Sequence, residues 1–213
     1  MHTLDEIRDA SCMTLEEFFG FEERSPLRHE FINGAVFAMT SPSLNHHRIM
    51  QNLMLAIHAH LNHRQGGVFF SGLKLIIRRE TNTISYYPDV MVDCRPDTRD
   101  MYYLREPKLI AEVLSPATQL IDRREKLQNY RLIDSVEEYV LVAQDDRRVT
   151  VYPRAEGWKP RIYAGLDTAV ELRSIDLVLP LIELYRDVTS PYSPPTGSPT
   201  SPSMQGDGRG ASA

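Results

Sequence analysis

Between residues 45 and 62 apolar side chains return at every fourth position, Ile49, Leu53, Ile57 and Leu61, with Met50 and Met54 widening the stripe. That spacing predicts an amphipathic helix with one buried face. Upstream, Thr14-Leu15-Glu16-Glu17 reads as a capping box and predicts a short helix through Phe18 and Phe19. Asn33-Gly34 lies between two apolar runs within residues 30–39 and predicts a hairpin, because both residues tolerate positive φ. Apolar runs at 68–79, 86–92 and 109–114 predict three strands. Ser115-Pro116 then predicts an N-cap and first turn, opening a helix that runs to about residue 133. Runs at 138–143 and 148–152 flank Gln144-Asp145-Asp146-Arg147, a predicted hairpin turn. Short strands at 161–164, 170–172 and 177–179 follow, and Pro180 opens a last helical turn. No internal repeat is present. The mixture predicts an α/β fold with a central mixed sheet and helices around it.

The pattern lapses after residue 188. Fifteen of the 25 residues at 189–213 are Pro, Gly or Ser, which predicts a disordered tail behind a folded unit of about 14–188. The tail's Asp207 and Arg209 cancel, so the net charge of −5 lies ahead of the tail. Such a unit lacks the broad basic surface of a nucleic-acid-coating protein, although a local basic strip is compatible with it. The arginine pairs at 78–79, 123–124 and 147–148 are candidates for that strip, or simply solvated strand ends and helix faces. Cys12 and Cys94 could form one disulfide, but they make neither a disulfide scaffold nor a zinc pattern. Residues 1–20 are charged, without an apolar signal core, and no run approaches the ~18 apolar residues of a membrane span. These features predict a cytoplasmic protein.

Asp89 and Glu112 interrupt the apolar runs at 86–92 and 109–114. A carboxylate buried in a strand is unfavourable unless it is paired or bound to a metal. Two such strands side by side would supply the hard oxygen ligands that Mg²⁺ takes, alongside water and phosphate oxygens. Alternation also permits both carboxylates to face solvent. Lys126 stands four residues after Asp122 on the following helix, with Tyr130 on the same stripe. It is a candidate for orienting an attacking water or stabilising negative charge on a pentavalent phosphorus, or else one half of an ordinary surface ion pair. Glu30, just before the hairpin, is either a third acid of the same site or a polar residue at a strand start. His58, His60 and His63 crowd a helix end without a His-Glu-x-x-His pattern and read as a solvated terminus. His46, at the start of the helical stripe, either lines the site or satisfies a local backbone group, and the second reading is the simpler. No phosphate loop, nucleophile elbow or dinucleotide fingerprint occurs.

Four motifs together resemble the Uma2 family, also called DUF820. They are Arg28-His29-Glu30-Phe31-Ile32-Asn33-Gly34, Ser43-Leu44-Asn45-His46-His47-Arg48-Ile49, Tyr87-Pro88-Asp89-Val90-Met91-Val92, and Glu112-Val113-Leu114-Ser115-Pro116-Ala117-Thr118 with Asp122, Lys126 and Tyr130. Glu137-Glu138-Tyr139-Val140-Leu141-Val142 continues the pattern, and the resemblance covers about residues 14–188. Uma2 belongs to the PD-(D/E)XK nuclease superfamily of restriction-endonuclease-like fold. The resemblance therefore implies a four- or five-stranded mixed sheet flanked by helices, and Mg²⁺-dependent DNA cleavage. It implies Asp89 and Glu112 as metal ligands. The superfamily signature places a lysine two residues after the second acid, where this chain has Leu114, so Lys126 becomes the candidate lysine. Glu30 matches the acid of the family's hairpin, and His46 matches a recurrent histidine.

The expectation is a cytoplasmic endonuclease domain acting on DNA with Mg²⁺, or Mn²⁺ as an alternative ion. Glu30, Asp89, Glu112 and Lys126 would be its catalytic residues, with the metal on Asp89 and Glu112. Nucleases of this fold often pair two sites, so a homodimer is expected as well. The competing expectation is a non-catalytic module that retains the fold for binding nucleic acid or protein.

Overall fold

Thr14 opens the first helix as its capping box predicts. Its hydroxyl accepts from the Glu17 amide at 3.2 Å, and the Glu17 carboxylate accepts from the Thr14 amide at 2.8 Å. The computed structural model of the protein describes residues 13–61, 67–80, 82–93, 102–116 and 118–189. Cys12, Cys94, His63 and the tail after Thr189 lie outside them. Helix α1 (Leu15–Arg24) buries Leu15 and Phe18 against the hairpin of β1 (His29–Ile32) and β2 (Ala35–Ala38). At its turn Asn33 and Gly34 adopt φ of 51° and 95°, as the pair predicts.

Helix α2 (Leu44–Leu61) buries Ile49, Met50, Leu53, Ile57 and Leu61, the stripe read from the sequence, and His46 with them. Full burial of a side chain such as Ile57 stabilises the fold by ~1.5–3 kcal/mol.

Two of the predicted strands are each two strands. The run at 68–79 divides into β3 (Gly67–Phe70) and β4 (Lys74–Arg78), and the run at 86–92 separates β5 (Thr83–Tyr86) from β6 (Val90–Asp93). β3 pairs with β6 and β4 pairs with β5, but the two pairs belong to different sheets. The chain thus passes between sheets at two neighbouring corners, joined where the Ser71 amide donates to the Asp89 carbonyl at 3.3 Å. Apolar residues crowding both sides conceal the two corners. Their marks are Gly72, with φ of 113°, and Pro88, which has no amide for a ladder.

The first sheet is six-stranded and mixed, ordered β11-β10-β9-β8-β6-β3. Its members are β8 (Leu109–Leu114), β9 (Glu138–Ala143), β10 (Arg148–Pro153) and β11 (Arg161–Ala164), besides β3 and β6. It therefore exceeds the four or five strands implied by the family resemblance. β8 runs parallel to β9 and antiparallel to β6, and it is buried along its whole length, as central strands are. The second sheet, β2-β1-β5-β4-β7, adds β7 (Tyr103–Leu104), a two-residue strand that the sequence pattern does not reveal. A small hairpin of β12 (Ala169–Leu172) and β13 (Leu177–Pro180) leads to α5 (Leu181–Leu184).

The helix expected from residue 115 begins later and is not uniform. The Ser115 hydroxyl and carbonyl accept from the Thr118 amide, and that carbonyl also accepts from Gln119, so Ser115 closes a turn ahead of the regular helix. Helix α3 (Gln119–Ile121) passes through a π-helical turn, Asp122–Lys126, into α4 (Leu127–Tyr130). One core lies between the six-stranded sheet and α2. A second core, on the opposite face, brings Tyr130 against Tyr139, Ile110 and Leu114 together with Leu75 and Tyr86 of the second sheet. The result is an α/β fold with a central mixed sheet flanked by helices. Among the described residues no helix is long and apolar enough to cross a membrane.

Candidate active site

Asp89 occupies the corner before β6, not the middle of a strand. β6 and β8 pair Val90 with Ala111, and one further step of this antiparallel register brings Asp89 beside Glu112. The two acids are tied to each other's backbones. The Val113 amide donates to Asp89 Oδ2 at 2.7 Å, and the Asp89 amide approaches Glu112 Oε2 at 3.3 Å. The expected pair is therefore adjacent, at the edge where the chain changes sheets.

Lys126 points at the pair. Its Nζ lies 3.1 Å from Glu112 Oε1, 3.1 Å from Glu30 Oε1 and 3.2 Å from Asp122 Oδ1. The contact with Asp122 Oδ1 is ionic, outside hydrogen-bond geometry. The reading of Lys126 as a surface ion pair fails, because the residue is only 5 % exposed and Asp122 only 2 %. Both belong to the π turn, which carries them inward together. π turns are frequent at functional sites, and nothing in the local sequence marks this one. Glu30 likewise faces the cluster, so it is more than a polar strand start.

The sequence underrated two further residues. His46 Nε2 lies 3.0 Å from Asp89 Oδ1, so the histidine lines the site and does not serve a local backbone group. Its position as the first buried residue of the α2 stripe, in a helix that starts beside the corner, is the signal that was available. Tyr130 donates to Glu112 Oε1 at 2.8 Å. Burial and the neighbouring Glu112 hold its hydroxyl well above the usual tyrosine value, so it remains a donor. Tyr86 lies beneath Lys126, with the ammonium 5.4 Å from the ring centroid, and its hydroxyl donates to Glu125 and accepts from Asn129. Away from the site, half-buried His60 meets the Ile175 carbonyl at 2.8 Å, so that helix end is not simply solvated.

The electrostatics are lopsided. Glu30, Glu112 and Asp122 converge around the ammonium of Lys126, and Asp89 adds a fourth carboxylate beside Glu112. Burial pushes Glu112 up to about 8, against the pull of Lys126, while Asp89 and Asp122 push the same way as burial. Burial alone would favour loss of the Lys126 proton. Glu112, Glu30 and Asp122 reverse that and hold the ammonium well above its ordinary value.

The donor set fits a hard divalent cation. It is made of carboxylate oxygens, it carries excess negative charge, and Glu112 Oε2 has only the long contact with the Asp89 amide. Among the described residues no group of three or more His, Cys, Asp and Glu side chains could hold a metal. Asp89 and Glu112, side by side at the corner, are the carboxylates that could hold an ion whose shell is completed by water or substrate oxygens.

Comparison with known proteins agrees with this architecture. The family model described as "Uma2: Putative restriction endonuclease" matches residues 15–186. An uncharacterised protein of Synechocystis is 33% identical over 175 residues, covering 80% of this chain and 90% of the relative. A second from the same organism is 33% identical over 151 residues, covering 70% and 84%. The crystal structure of a DUF820 protein from Anabaena variabilis, described as a "putative nuclease", superposes with a TM-score of 0.66 at 20% identity, covering 81% of this chain and 97% of that one. At that identity the likeness speaks for the restriction-endonuclease-like fold. A family match that runs from the first helix to the last, with relatives sharing a third of their residues along most of both chains, makes this chain a member of the Uma2 family.

Proposed function

We propose that the protein is a divalent-metal-dependent endonuclease that hydrolyses DNA phosphodiester bonds. The observation that carries the reading is the meeting of Asp89 and Glu112 at one sheet corner, within an acidic cluster around one buried lysine. Asp89 and Glu112 would hold Mg²⁺ or Mn²⁺. The ion, when bound, supplies Lewis acidity toward the phosphate and lowers the pKa of water.

The remaining work belongs to the chain. His46 and the Val113 amide fix both oxygens of Asp89, and Tyr130 and Lys126 fix Oε1 of Glu112, leaving Oε2 turned toward Asp89. Preset ligands of this kind need little rearrangement when the transition state forms. Lys126 keeps its charge beside the scissile phosphate and offsets the negative charge that builds on it. Glu30 has Lys126 as its partner at Oε1 and is 14 % exposed in its side chain, so its other oxygen can accept a proton from the attacking water and pass it to solvent. Water oxygen bonds to phosphorus as the opposite phosphorus–oxygen bond breaks. The leaving oxygen takes a proton from solvent, and the products are a phosphate monoester and a free hydroxyl.

Calorimetric titration of Mn²⁺ and nicking of supercoiled plasmid test the reading together. Wild type is expected to bind the ion and nick, and Asp89→Ala to do neither. One observation favours a second reading, a non-catalytic binding module: Lys126 is already enclosed by three carboxylates. Absence of Mn²⁺ heat in the wild type would select that reading.

A further inference from the structure

The arginine pairs that attract notice in the sequence are mostly engaged. Arg78 lies 3.8 Å from Glu16, Arg79 3.5 Å from Asp134, and Arg148 2.9 Å from Asp146, while Arg147 donates to the Val188 carbonyl at 2.7 Å. Two other cations, far apart in sequence, behave differently. The Arg28 guanidinium lies 5.2 Å from the ring centroid of Tyr87, and the Lys74 ammonium lies 5.4 Å from the same centroid. Among the described residues neither makes an ion pair. Glu22 is directed elsewhere: its oxygens receive the His29 amide and the Tyr87 hydroxyl and meet the His29 ring.

The place of these cations in the fold matters. Tyr87 is two residues before Asp89, at the corner between the sheets. The other corner passes beneath Arg28. Gly72 has φ of +113°, and a Cβ there would stand 2.6 Å from Arg28 Nη1, so a side chain at this turn would displace the guanidinium from its seat. The preceding residue, Ser71, holds the Asp89 carbonyl. On the other side, Arg28 enters β1 two positions before Glu30, which reaches Lys126. Three short stretches of chain thus lead from the two cations to the acidic cluster, and Lys74 also lies 5.6 Å from the Phe19 ring centroid of α1. Burial lowers the proton affinity of Lys74 and Arg28 lowers it further, while Glu22 and Glu23 raise it in part. Two positive charges sharing one ring repel each other, and an anion between them relieves that repulsion.

We propose that Arg28 and Lys74, seated on Tyr87, grip the phosphate backbone of the DNA strand as it enters the Asp89–Glu112 site. The inference rests on the nuclease reading and adds the element that positions the substrate on an otherwise acidic domain. Phosphate contacts fix register and orientation without reading sequence, so this grip serves many sequences equally.

The test is anisotropy of a labelled DNA duplex with the full chain in chelator, across a salt series, with plasmid cleavage in Mg²⁺ measured in parallel. Arg28→Ala with Lys74→Ala is expected to weaken binding about tenfold or more and to reduce the slope of log K against log salt by roughly two. It should raise KM for cleavage with little change in kcat. Arg28→Lys with Lys74→Arg keeps the charges and should restore the slope, and it distinguishes lost phosphate contacts from altered folding. Arg186→Ala, on the α5 side, should behave as wild type. If the double alanine variant cleaves with unchanged KM and salt slope, the grip is overturned and the nuclease reading stands. If wild type binds no DNA at any salt, both fall.

Discussion

β8 separates two interiors that differ although their residues alternate along one strand. Leu109, Ala111 and Val113 face α2 in a core of aliphatic side chains contributed by both sheet and helix. Ile110 and Leu114 face the other way with Glu112 between them, and that interior contains Lys126, Asp122 and the hydroxyls of Tyr86, Tyr130 and Tyr139. The first interior needs mainly complementary shape, its Tyr185 hydroxyl being satisfied by the Ala143 and Arg148 carbonyls. The second keeps charges out of water, which is unfavourable unless every charge is opposed and every donor directed. The comparison indicates a division of labour: the α2 face secures the sheet and allows the opposite face to hold an arrangement that is poor for stability. Substitutions on the two faces should therefore separate activity from folding.

The largest effect is expected at the acids. Asp89→Asn and Glu112→Gln should each lower kcat for plasmid nicking by about a thousandfold, or roughly 4 kcal/mol of barrier. Their thermal midpoints should stay near wild type or rise, because Asp89→Asn removes a charge from a crowded acidic cluster and Glu112→Gln replaces a carboxyl that burial already favours in its neutral form. A collapse of Tm with either variant would show that the cluster carries the fold, contrary to the division proposed.

On the opposite face the outcome should invert. Leu109→Ala, at a fully buried position in the α2 core, is expected to cost 2–5 kcal/mol in urea unfolding while specific activity of the folded fraction is unchanged. A loss of kcat without a loss of stability would mean that the two faces communicate.

The α2 face is also the one that the sequence disclosed. Its stripe at Ile49, Leu53, Ile57 and Leu61 and its strand at 109–114 appear where periodicity places them, because an aliphatic interior is written as a repeat. The site was legible as a set of residues: Glu30, Asp89, Glu112 and Lys126 are brought together as the motifs imply. What escaped was its geometry. Apolar residues flank Ser71-Gly72 and Pro88-Asp89 closely on both sides, so the pattern reads as one strand where the chain changes sheets. The π turn depends on tertiary contacts of Asp122 and Lys126, which no local spacing encodes. His46 and Tyr130 acquire their roles only through partners 43 and 18 residues away.

pH should sharpen the comparison. Glu112 titrates near 8 in the folded chain, above the ordinary carboxylate value of 4.5. Between those values the folded state binds a proton that the unfolded state has released, so stability is highest below about pH 4.5 on this account and declines as pH rises through 8. The slope contributed by this one group is at most ~1.4 kcal/mol per pH unit. Denaturation in chelator across pH 5–9 should show that decline, and Glu112→Gln should flatten it. A Leu109→Ala variant should retain the wild-type pH dependence at a lower overall stability. Equal slopes for wild type and Glu112→Gln would remove Glu112 as the source.

The smallest change tests what in Tyr86 matters to the charged face. Its ring lies beneath the Lys126 ammonium, whereas its hydroxyl reaches outward to Glu125 and Asn129. Tyr86→Phe keeps the ring and removes the hydroxyl. Glu125 is exposed and can take water instead, while half-buried Asn129 loses an acceptor, so the expected cost is about 1 kcal/mol or less. kcat should be unchanged, because a cation over a ring feels the aromatic face and not the substituent beyond it. Tyr86→Leu removes the ring and should lower both stability and kcat. If Tyr86→Phe alone reduced kcat as far as Tyr86→Leu does, the hydroxyl network through Glu125 and Asn129 would belong to the catalytic face, and the boundary drawn here between site and support would have to move outward to include α4.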